Sequence, residues 1–558
     1  MKVRIVLAVL LGLFALLTLA DRFTPLELLV LRGGVPLLFA IATAIAIIGA
    51  GAIARGSREA DPALDFLLGF PIFGALLFLV GLLKVSVWTI VPVLALLAIA
   101  GIVLILAGWS ERPRPASTTS SFALLAVAVV IVCGFVTALA PPTAIDEVSS
   151  TLAVPRAWAL EGRAIELPLL AHSYFPLGIE SADLAPIAIL GAIHGGVASH
   201  FLHLFAAIAT ATLLFRRTES WLLTAAIVTT PALALSAGWS LGDWPLVGLF
   251  VATYIALERD DIRLASTATA AGLLTSYLFL PFVLVAWALR RRRPHWIVLT
   301  GLLFFVRNIV LTWNPLAPFF TEEAPPLLAV RDLALADYVF TFDRAQEALG
   351  VAVLALPFFA ASAIAIAAAI LAIGLFFLAP GARVLVPFLV VPSMTATKAL
   401  EKKVIAVMIG IAIAAQTLLV VWFTARSGAF TLVAAATNTD AYLRKQRPEY
   451  DAIAWLNGAL PAGSRTLVVG IGETYWFTKS VRGGAATDAA RISHYLALPA
   501  PEALRERLRG DGITHVAVVT SEHGSSLEPD AQKMLAQTLD HYAATVTTRG
   551  NATLFTLR

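Results

Sequence analysis

Long apolar segments, separated by short clusters of charged residues, constrain this chain more than any other feature. A helix that crosses the hydrocarbon core of a bilayer needs about 20 consecutive apolar residues. Of the 558 residues, 59% are hydrophobic and 14% are charged, whereas about a quarter of a soluble domain is charged. Because a soluble fold could not bury this much apolar surface, the sequence predicts a polytopic α-helical membrane protein.

The apolar segments predict about 13 to 15 transmembrane helices. The candidate segments are 5–20, 34–54, 64–83, 87–108, 121–140, 184–195, 197–215, 221–238, 244–257, 264–289, 295–312, 348–379, 384–397 and 404–424. The first resembles a cleavable signal peptide, but we favour an uncleaved crossing because more crossings follow it.

Loop charges predict how the segments are oriented, because cytoplasmic loops are enriched in Lys and Arg. The run of four arginines at 290–293 returns to the cytoplasm if 264–289 forms two short helices with a turn near Ser276 and Tyr277. We prefer a cytoplasmic loop to nucleic-acid binding for this run. Residues 348–379 are ambiguous: two crossings place the C-terminal domain outside, and one crossing places it in the cytosol.

The composition changes near residue 440, where a small soluble α/β domain is predicted. Strand-like patterns lie at 466–470, 515–520 and 553–557, and helical patterns lie at 450–460 and 501–509. We therefore divide the chain into an N-terminal transmembrane extension at 1–120, a transmembrane core at 121–424 and an extracytoplasmic domain at 440–558. The core has outer loops at 141–182 and 313–346.

Three acidic residues are candidate catalytic groups. Asp146 and Glu147 follow the fifth crossing at its outer end, and Asp243 lies on the same side by loop parity. Such residues can simply mark where a helix leaves the lipid. Alternatively, a carboxylate there can accept a proton from an attacking hydroxyl, and a second carboxylate can position it.

Arg307 and Asn308 lie near the outer end of an otherwise apolar crossing, and Asn314 follows in the second outer loop. An arginine inside a membrane is costly, so it should face a partner. A phosphate at the membrane surface suits a guanidinium, which can bind it with two hydrogen bonds. The alternative is an arginine whose charged end reaches up to the interface.

The first outer loop also contains His172, Tyr174 and Glu180, which could line a sugar site, although Tyr174 could be an interfacial anchor. His200 and His203 have a spacing that could place two metal ligands on one helical face. Because no clear carboxylate partner is nearby, we predict packed or surface histidines and no metal site. We also predict no cofactor, and the single cysteine, Cys133, allows no intrachain disulfide.

The loop resembles that of bacterial GT-C fold glycosyltransferases, the membrane enzymes related to protein O-mannosyltransferases and the aminoarabinose transferase of lipid A. Their acidic residue is followed by L-A-x-P-x-x-W and S-x-F-P-x-x-x-E patterns. The same patterns stand here at 152–158 and 173–180. The segment 307–319 is similar to their R-N … T-G-N-P-x-x-P-F motif. Arg383 begins a segment that stands where they have an R-Y-x-x-P turn, and Ser276-Tyr277 replaces a lysine that is common in their hairpin.

This resemblance implies a glycosyltransferase in the cell (inner) membrane. It would move a monosaccharide from a polyprenyl-phosphate donor to an envelope glycan, lipid or protein, with inversion at the anomeric carbon. Asp146 would be the general base, Asp243 the second acidic residue, and Arg307 a contact of the lipid phosphate. The other partners would be membrane lipids, with no nucleic acid. The alternatives are a transporter or flippase for a lipid-linked substrate and a non-catalytic scaffold.

Overall fold

The computed structural model describes residues 33–56, 61–107, 121–320, 348–360, 362–378, 381–433, 437–520 and 527–558. The predicted crossing at 5–20 and most of the predicted outer loop at 313–346 lie outside these ranges. The membrane part contains α-helices Val35–Arg55, Pro62–Leu83, Val87–Ala107, Ser121–Ala138, Ala153–Glu161, Gly178–Ala182, Leu184–Thr218, Trp221–Val228, Pro231–Ala234, Asp243–Glu258, Ile262–Thr275, Phe279–Arg290, Leu303–Thr312, Gly350–Ala355, Ala363–Leu378, Val386–Met394, Lys403–Arg426 and Ala429–Val433.

Six helices among the described residues are long and apolar enough to cross a bilayer, or seven if one bent pair is a single span. They are Val35–Arg55, Pro62–Leu83, Val87–Leu106, Ser121–Ala138, Leu184–Thr218 and Lys403–Arg426, with the bent pair Trp221–Val228 and Pro231–Gly238. Several shorter apolar helices accompany them, including Phe279–Arg290, Trp296–Thr312 and Ala363–Phe376. The prediction of a polytopic helical membrane fold is confirmed.

Three local predictions meet different outcomes. The two short helices predicted within 264–289 are confirmed as Ile262–Thr275 and Phe279–Arg290. The segment predicted as a single crossing at 221–238 forms two short helices, Trp221–Val228 and Pro231–Gly238, bent by 74° against each other, so it is either a broken span or a re-entrant loop. The two segments predicted at 184–195 and 197–215 are found as two helices within Leu184–Thr218, which meet at a kink at Gly191, whose φ of 78° suits glycine.

The first three described helices pack through small residues. A β-carbon on Gly51 would lie 1.8 Å from the backbone oxygen of Asp65, and one on Gly69 would lie 1.8 Å from that of Ile47. Gly74 approaches the backbone of Gly178 in the first outer loop equally closely. Small residues let transmembrane helices approach until their backbones touch. The predicted N-terminal extension is therefore packed directly against the predicted core.

Ion pairs bring the arginine-rich helix ends to one face of the bundle. Arg216 lies 2.7 Å from Asp61 at the start of the second described helix. The arginine run pairs with the helix end at 258–260, through Arg290 with Glu258 and Arg292 with Asp260. The paired short helices thus return the arginine run to the face where Arg216 lies, as the charge pattern predicts.

The C-terminal domain is a five-stranded mixed sheet flanked by helices, which confirms the predicted small α/β domain. Its strands are β1 (Arg465–Val469), β2 (Ser480–Arg482), β3 (His515–Val519), β4 (Ala543–Arg549) and β5 (Ala552–Leu557), in the order β2-β1-β3-β5-β4. Its helices are Thr439–Gln446, Tyr450–Ala459, Ala489–Leu496, Pro501–Gly510 and Pro529–Tyr542. β1 pairs in parallel with β2 and β3, whereas β5 is antiparallel to both neighbours.

This domain is docked on the first outer loop. Glu161, at the end of the loop helix Ala153–Glu161, lies 2.9 Å from Arg465 and 3.2 Å from Arg482, and it accepts a hydrogen bond from Ser480. Farther along the loop, Asp488 accepts a backbone hydrogen bond from Ala171. The loop and the domain therefore lie on the same face of the bundle, opposite the arginine-rich helix ends.

We expect Glu161→Ala to loosen this docking. The substitution leaves Arg465 and Arg482 without their shared carboxylate. This loss should lower the free energy of docking by about 1–3 kcal/mol, because the two arginines are partly exposed. Hydrogen exchange should become faster in backbone amides of 465–482. Glu506→Ala, an exposed carboxylate on Pro501–Gly510, is the matched control. Equal exchange in both variants would mean that Glu161 does not hold the domain.

Candidate active site

A cavity of about 680 Å³ opens on the face that bears the first outer loop and the C-terminal domain. One wall is the end of Ser121–Ala138 with the start of the loop, and another is the segment 239–241. The third is the end of Lys403–Arg426 together with the end of the helix Thr439–Gln446. The lining residues are Thr137, Ala140, Pro141, Thr143, Ala144, Ile145, Asp146, His200, Trp239, Leu241, Arg383, Phe423, Arg426, Ser427, Tyr442, Gln446 and Arg447.

Arg383 joins the two aspartates that the sequence analysis proposed as catalytic. It lies in the short turn Ala382–Val384, and its guanidinium pairs with Asp146 and lies 3.7 Å from the carboxylate of Asp243. Asp243 is the first residue of its helix, where the positive end of the helix dipole favours a carboxylate. Asp146 is the most exposed of the three side chains, at 47%. One arginine thus holds two carboxylates together beside the cavity.

Glu147 points away from the cavity and into the protein. Its side chain is fully buried, and it accepts hydrogen bonds from the backbone N–H groups of Ser240, at 2.5 Å, and Ala144, at 3.2 Å. His200 Nε2 lies 2.9 Å from the same carboxylate. Thr151 reinforces this link by donating to the carbonyl of Ser240. Glu147 therefore connects two segments of the chain. One is the start of the loop, which carries Asp146, and the other leads from Ser240 to Asp243.

A second buried pair lies one helical turn beyond His200. His203 Nε2 is 3.3 Å from Asp183 Oδ2, and His203 Nδ1 is 2.8 Å from the carbonyl of Leu241. The expectation that these histidines lack carboxylate partners is wrong, because Glu147 and Asp183 are far in sequence and near in space. Their burial agrees with the prediction of packed histidines. Among the described residues, no group of three or more His, Cys, Asp and Glu is placed to hold a metal ion.

Arg307 and Asn308 form a separate cluster. The amide nitrogen of Asn308 donates to the carbonyl of Tyr174 and to the hydroxyl of Tyr277, both at 2.6 Å, and its oxygen accepts two hydrogen bonds from Arg307. The Arg307 guanidinium also lies over the rings of Phe78 and Phe304. Tyr277, in the turn between the paired short helices, donates to backbone carbonyls of both outer loops. This cluster connects the first outer loop, the hairpin turn and the start of the second loop.

The remaining predicted residues belong to the same connecting region. His172 Nε2 lies 3.3 Å from Glu180, and Tyr174 donates a hydrogen bond to Glu166. Asn314 shapes its own turn by donating to the carbonyl of Phe319 and accepting from the backbone of Leu316. The structure thus places Asp146, Glu147, Asp243 and Arg383 at or directly behind the cavity. The other predicted site residues lie in the region that connects the two outer loops and the hairpin turn.

Several cavity residues were missed from the sequence, notably Arg426, Gln446 and Arg447. Arg447 pairs with Glu473 and donates to the carbonyl of Thr143. Burial lowers the pKa of the Arg447 guanidinium, but the usual value is so high that the group stays charged at neutral pH. An arginine at the outer end of a crossing runs against the positive-inside rule, and this signal could have drawn attention to Arg426.

No protein-family model and no curated protein matches this chain. Among solved structures, it is similar to ArnT from Cupriavidus metallidurans bound to undecaprenyl phosphate, with a TM-score of 0.49 and 15% identity over 78% of this chain and 98% of that chain. The same protein in the apo state gives a TM-score of 0.46 and 15% identity over 79% and 98%. These values assign no role to any residue of this chain.

We expect Glu147 and Asp146 to contribute very differently to stability. Glu147→Ala leaves buried groups of Ser240 and His200 unpaired and should lower the free energy of unfolding by about 3 kcal/mol. Asp146→Ala removes a half-exposed partner and should cost about 1 kcal/mol or less. Denaturation of both variants in mixed micelles measures the difference. Equal losses would contradict the structural role of Glu147.

Proposed function

We propose that this protein is a membrane glycosyltransferase that moves a monosaccharide from a polyprenyl-phosphate donor to an envelope glycan, lipid or protein. The observation that carries this proposal is the pair of carboxylates, Asp146 and Asp243, held by Arg383 beside an open cavity. The loop motifs around Asp146 add independent support through their resemblance to GT-C transferases. By the charge pattern, the cavity faces the extracytoplasmic side of the cell membrane.

Asp146 is the general base in this proposal. It is the more exposed carboxylate and it lines the cavity, so an acceptor hydroxyl can approach it. The carboxylate takes the proton of that hydroxyl as the oxygen bonds to the anomeric carbon, and the bond from that carbon to the phosphate oxygen breaks. The leaving group is a lipid phosphate, so no nucleotide and no cofactor is needed.

Asp243 and Arg383 position the base and set the local charge. Two carboxylates and one guanidinium leave a net charge of about −1 where the sugar passes through a positively charged, oxocarbenium-like transition state. Glu147 acts through Asp146 by fixing the loop start. Tyr174 and Asn308 join the loop to the hairpin through Tyr277, and His172 pairs with Glu180 inside the loop. The resemblance predicts that Arg307 contacts the donor phosphate; its cation–π contacts place it among aromatic rings.

We expect Asp146→Asn to abolish most transfer. The purified protein is offered a panel of polyprenyl-phosphate monosaccharides with crude envelope acceptors, and mass spectrometry follows the release of polyprenyl phosphate. Because the amide keeps the size and cannot accept the proton, turnover should fall about 100-fold or more. Asp530→Asn, on the exposed start of Pro529–Tyr542, is the control. Turnover that is unchanged in Asp146→Asn would rule out this base.

Asp243→Asn tests the second carboxylate. Its loss removes negative charge from the site and takes away one of the two carboxylates that Arg383 contacts. We expect kcat to fall about tenfold or more, with a smaller change in KM, because the charge acts mainly on the transition state. A change confined to KM would instead assign Asp243 to substrate binding.

The same assay separates a transferase from both alternative functions. A transporter or flippase moves the lipid-linked sugar intact, so no polyprenyl phosphate is released in the wild-type protein. A non-catalytic scaffold gives no release with any donor, and its function in cells tolerates Asp146→Asn.

A further inference from the structure

Arg426 stands out among the charged residues of the cavity. It is the last residue of Lys403–Arg426, it is exposed, and its guanidinium lies over the ring of Trp422 at 5.2 Å. Arg383 has carboxylate partners in Asp146 and Asp243, and Arg447 has one in Glu473. Within the described part of the chain, Arg426 has no carboxylate at ion-pair distance. Its positive charge is therefore available to an anion that enters the cavity.

Polar side chains that follow Arg426 in the sequence line the same cavity. Gly428 turns the chain with a φ of 76°, which glycine adopts without strain. This turn packs against Gln446, whose amide nitrogen would lie 3.2 Å from a β-carbon at Gly428. Gln446, Arg447 and Ser427 line the same cavity as Arg426. The cavity wall thus carries an amide and a second guanidinium besides Arg426, and these groups suit phosphate oxygens.

Two further observations indicate that the cavity takes a ligand. His200 lines it while 1% exposed, and its Nδ1 has no hydrogen-bond partner among the described residues. A buried polar atom without a partner is costly, so a bound group or water should satisfy it. The helix that ends at Arg426 also exposes a row of large apolar side chains along its length, namely Val404, Val407, Met408, Ile411, Leu418, Val421 and Trp422. A hydrocarbon chain can lie along this helix with its charged end at the cavity.

We propose that Arg426, with Gln446 and Arg447, forms a phosphate-binding subsite at the mouth of the cavity. This inference rests on the proposed function and deepens it. Arg307 does not line the cavity, so the subsite is separate from the contact that the resemblance predicts. The phosphate belongs either to the polyprenyl chain of the donor or to the acceptor. Both sources share the chemistry of an anion that two guanidinium groups and an amide recognise.

Binding to the full-length protein in phosphatidylcholine nanodiscs tests this subsite. One arm titrates undecaprenyl phosphate incorporated in the nanodisc, and the other titrates soluble glucose 6-phosphate as a stand-in for a phosphorylated acceptor. The variants are Arg426→Gln, Arg426→Lys and Arg444→Gln. Arg444 is exposed, pairs with Asp451 and does not line the cavity, so it controls for loss of surface charge.

We expect Arg426→Gln to weaken the binding of one probe about tenfold or more, with Arg426→Lys intermediate and Arg444→Gln within about twofold of wild type. Weakening in the undecaprenyl phosphate arm assigns the subsite to the donor, and weakening in the soluble arm assigns it to the acceptor. Unchanged binding of both probes in Arg426→Gln overturns the subsite.

The two proposals fail in distinguishable ways. The thermal unfolding temperature of Arg426→Gln should match that of wild type, because the side chain is exposed. If Arg426→Gln does not fold, Arg426→Lys, which keeps the charge, takes its place in the comparison. Asp530→Asn, the exposed control of the transfer assay, should bind both probes within about twofold of wild type. If binding depends on Arg426 but the wild-type protein shows no turnover, the transferase proposal is overturned and the phosphate subsite is supported.

Discussion

Ionised side chains inside a membrane bundle must be paired, because an isolated charge there costs several kcal/mol. This constraint arranges most of the site. Glu147 is fully buried and is matched by two backbone N–H groups and His200, while Asp183 is matched by His203. These pairs join the first outer loop to the helices behind it. They leave Asp146, one residue away from Glu147, at the cavity surface.

The C-terminal domain contributes to the same arrangement. It contacts the first outer loop through Glu161 and Asp488, and the end of its first helix supplies Gln446 and Arg447 to the cavity wall. A domain that packs on a loop restricts the conformations of that loop, and so it lowers the entropy lost when a substrate binds. The domain therefore has a direct physical connection to the site.

Two adjacent residues, Asp146 and Glu147, show how far local sequence carries a site prediction. Both are acidic and both follow the same crossing, so the pattern proposes either as a base. The π-helical turn Glu147–Thr151 directs one carboxylate inwards and leaves the other at the cavity. In the same way, Arg307 and Asn308 match a motif, but their contacts are with loop carbonyls, an aromatic hydroxyl and rings.

The sequence by itself determined the membrane class, most of the long helices, the pair of short helices Ile262–Thr275 and Phe279–Arg290, and the small α/β domain. These features depend on local hydrophobic periodicity and on charge at segment ends, which are readable in one stretch of chain. The tertiary structure decided which charged groups meet. Asp146 and Arg383 are 237 residues apart, and Arg465 is 304 residues from Glu161. Contacts over such separations depend on how helices pack, and spacing along the chain carries no record of it.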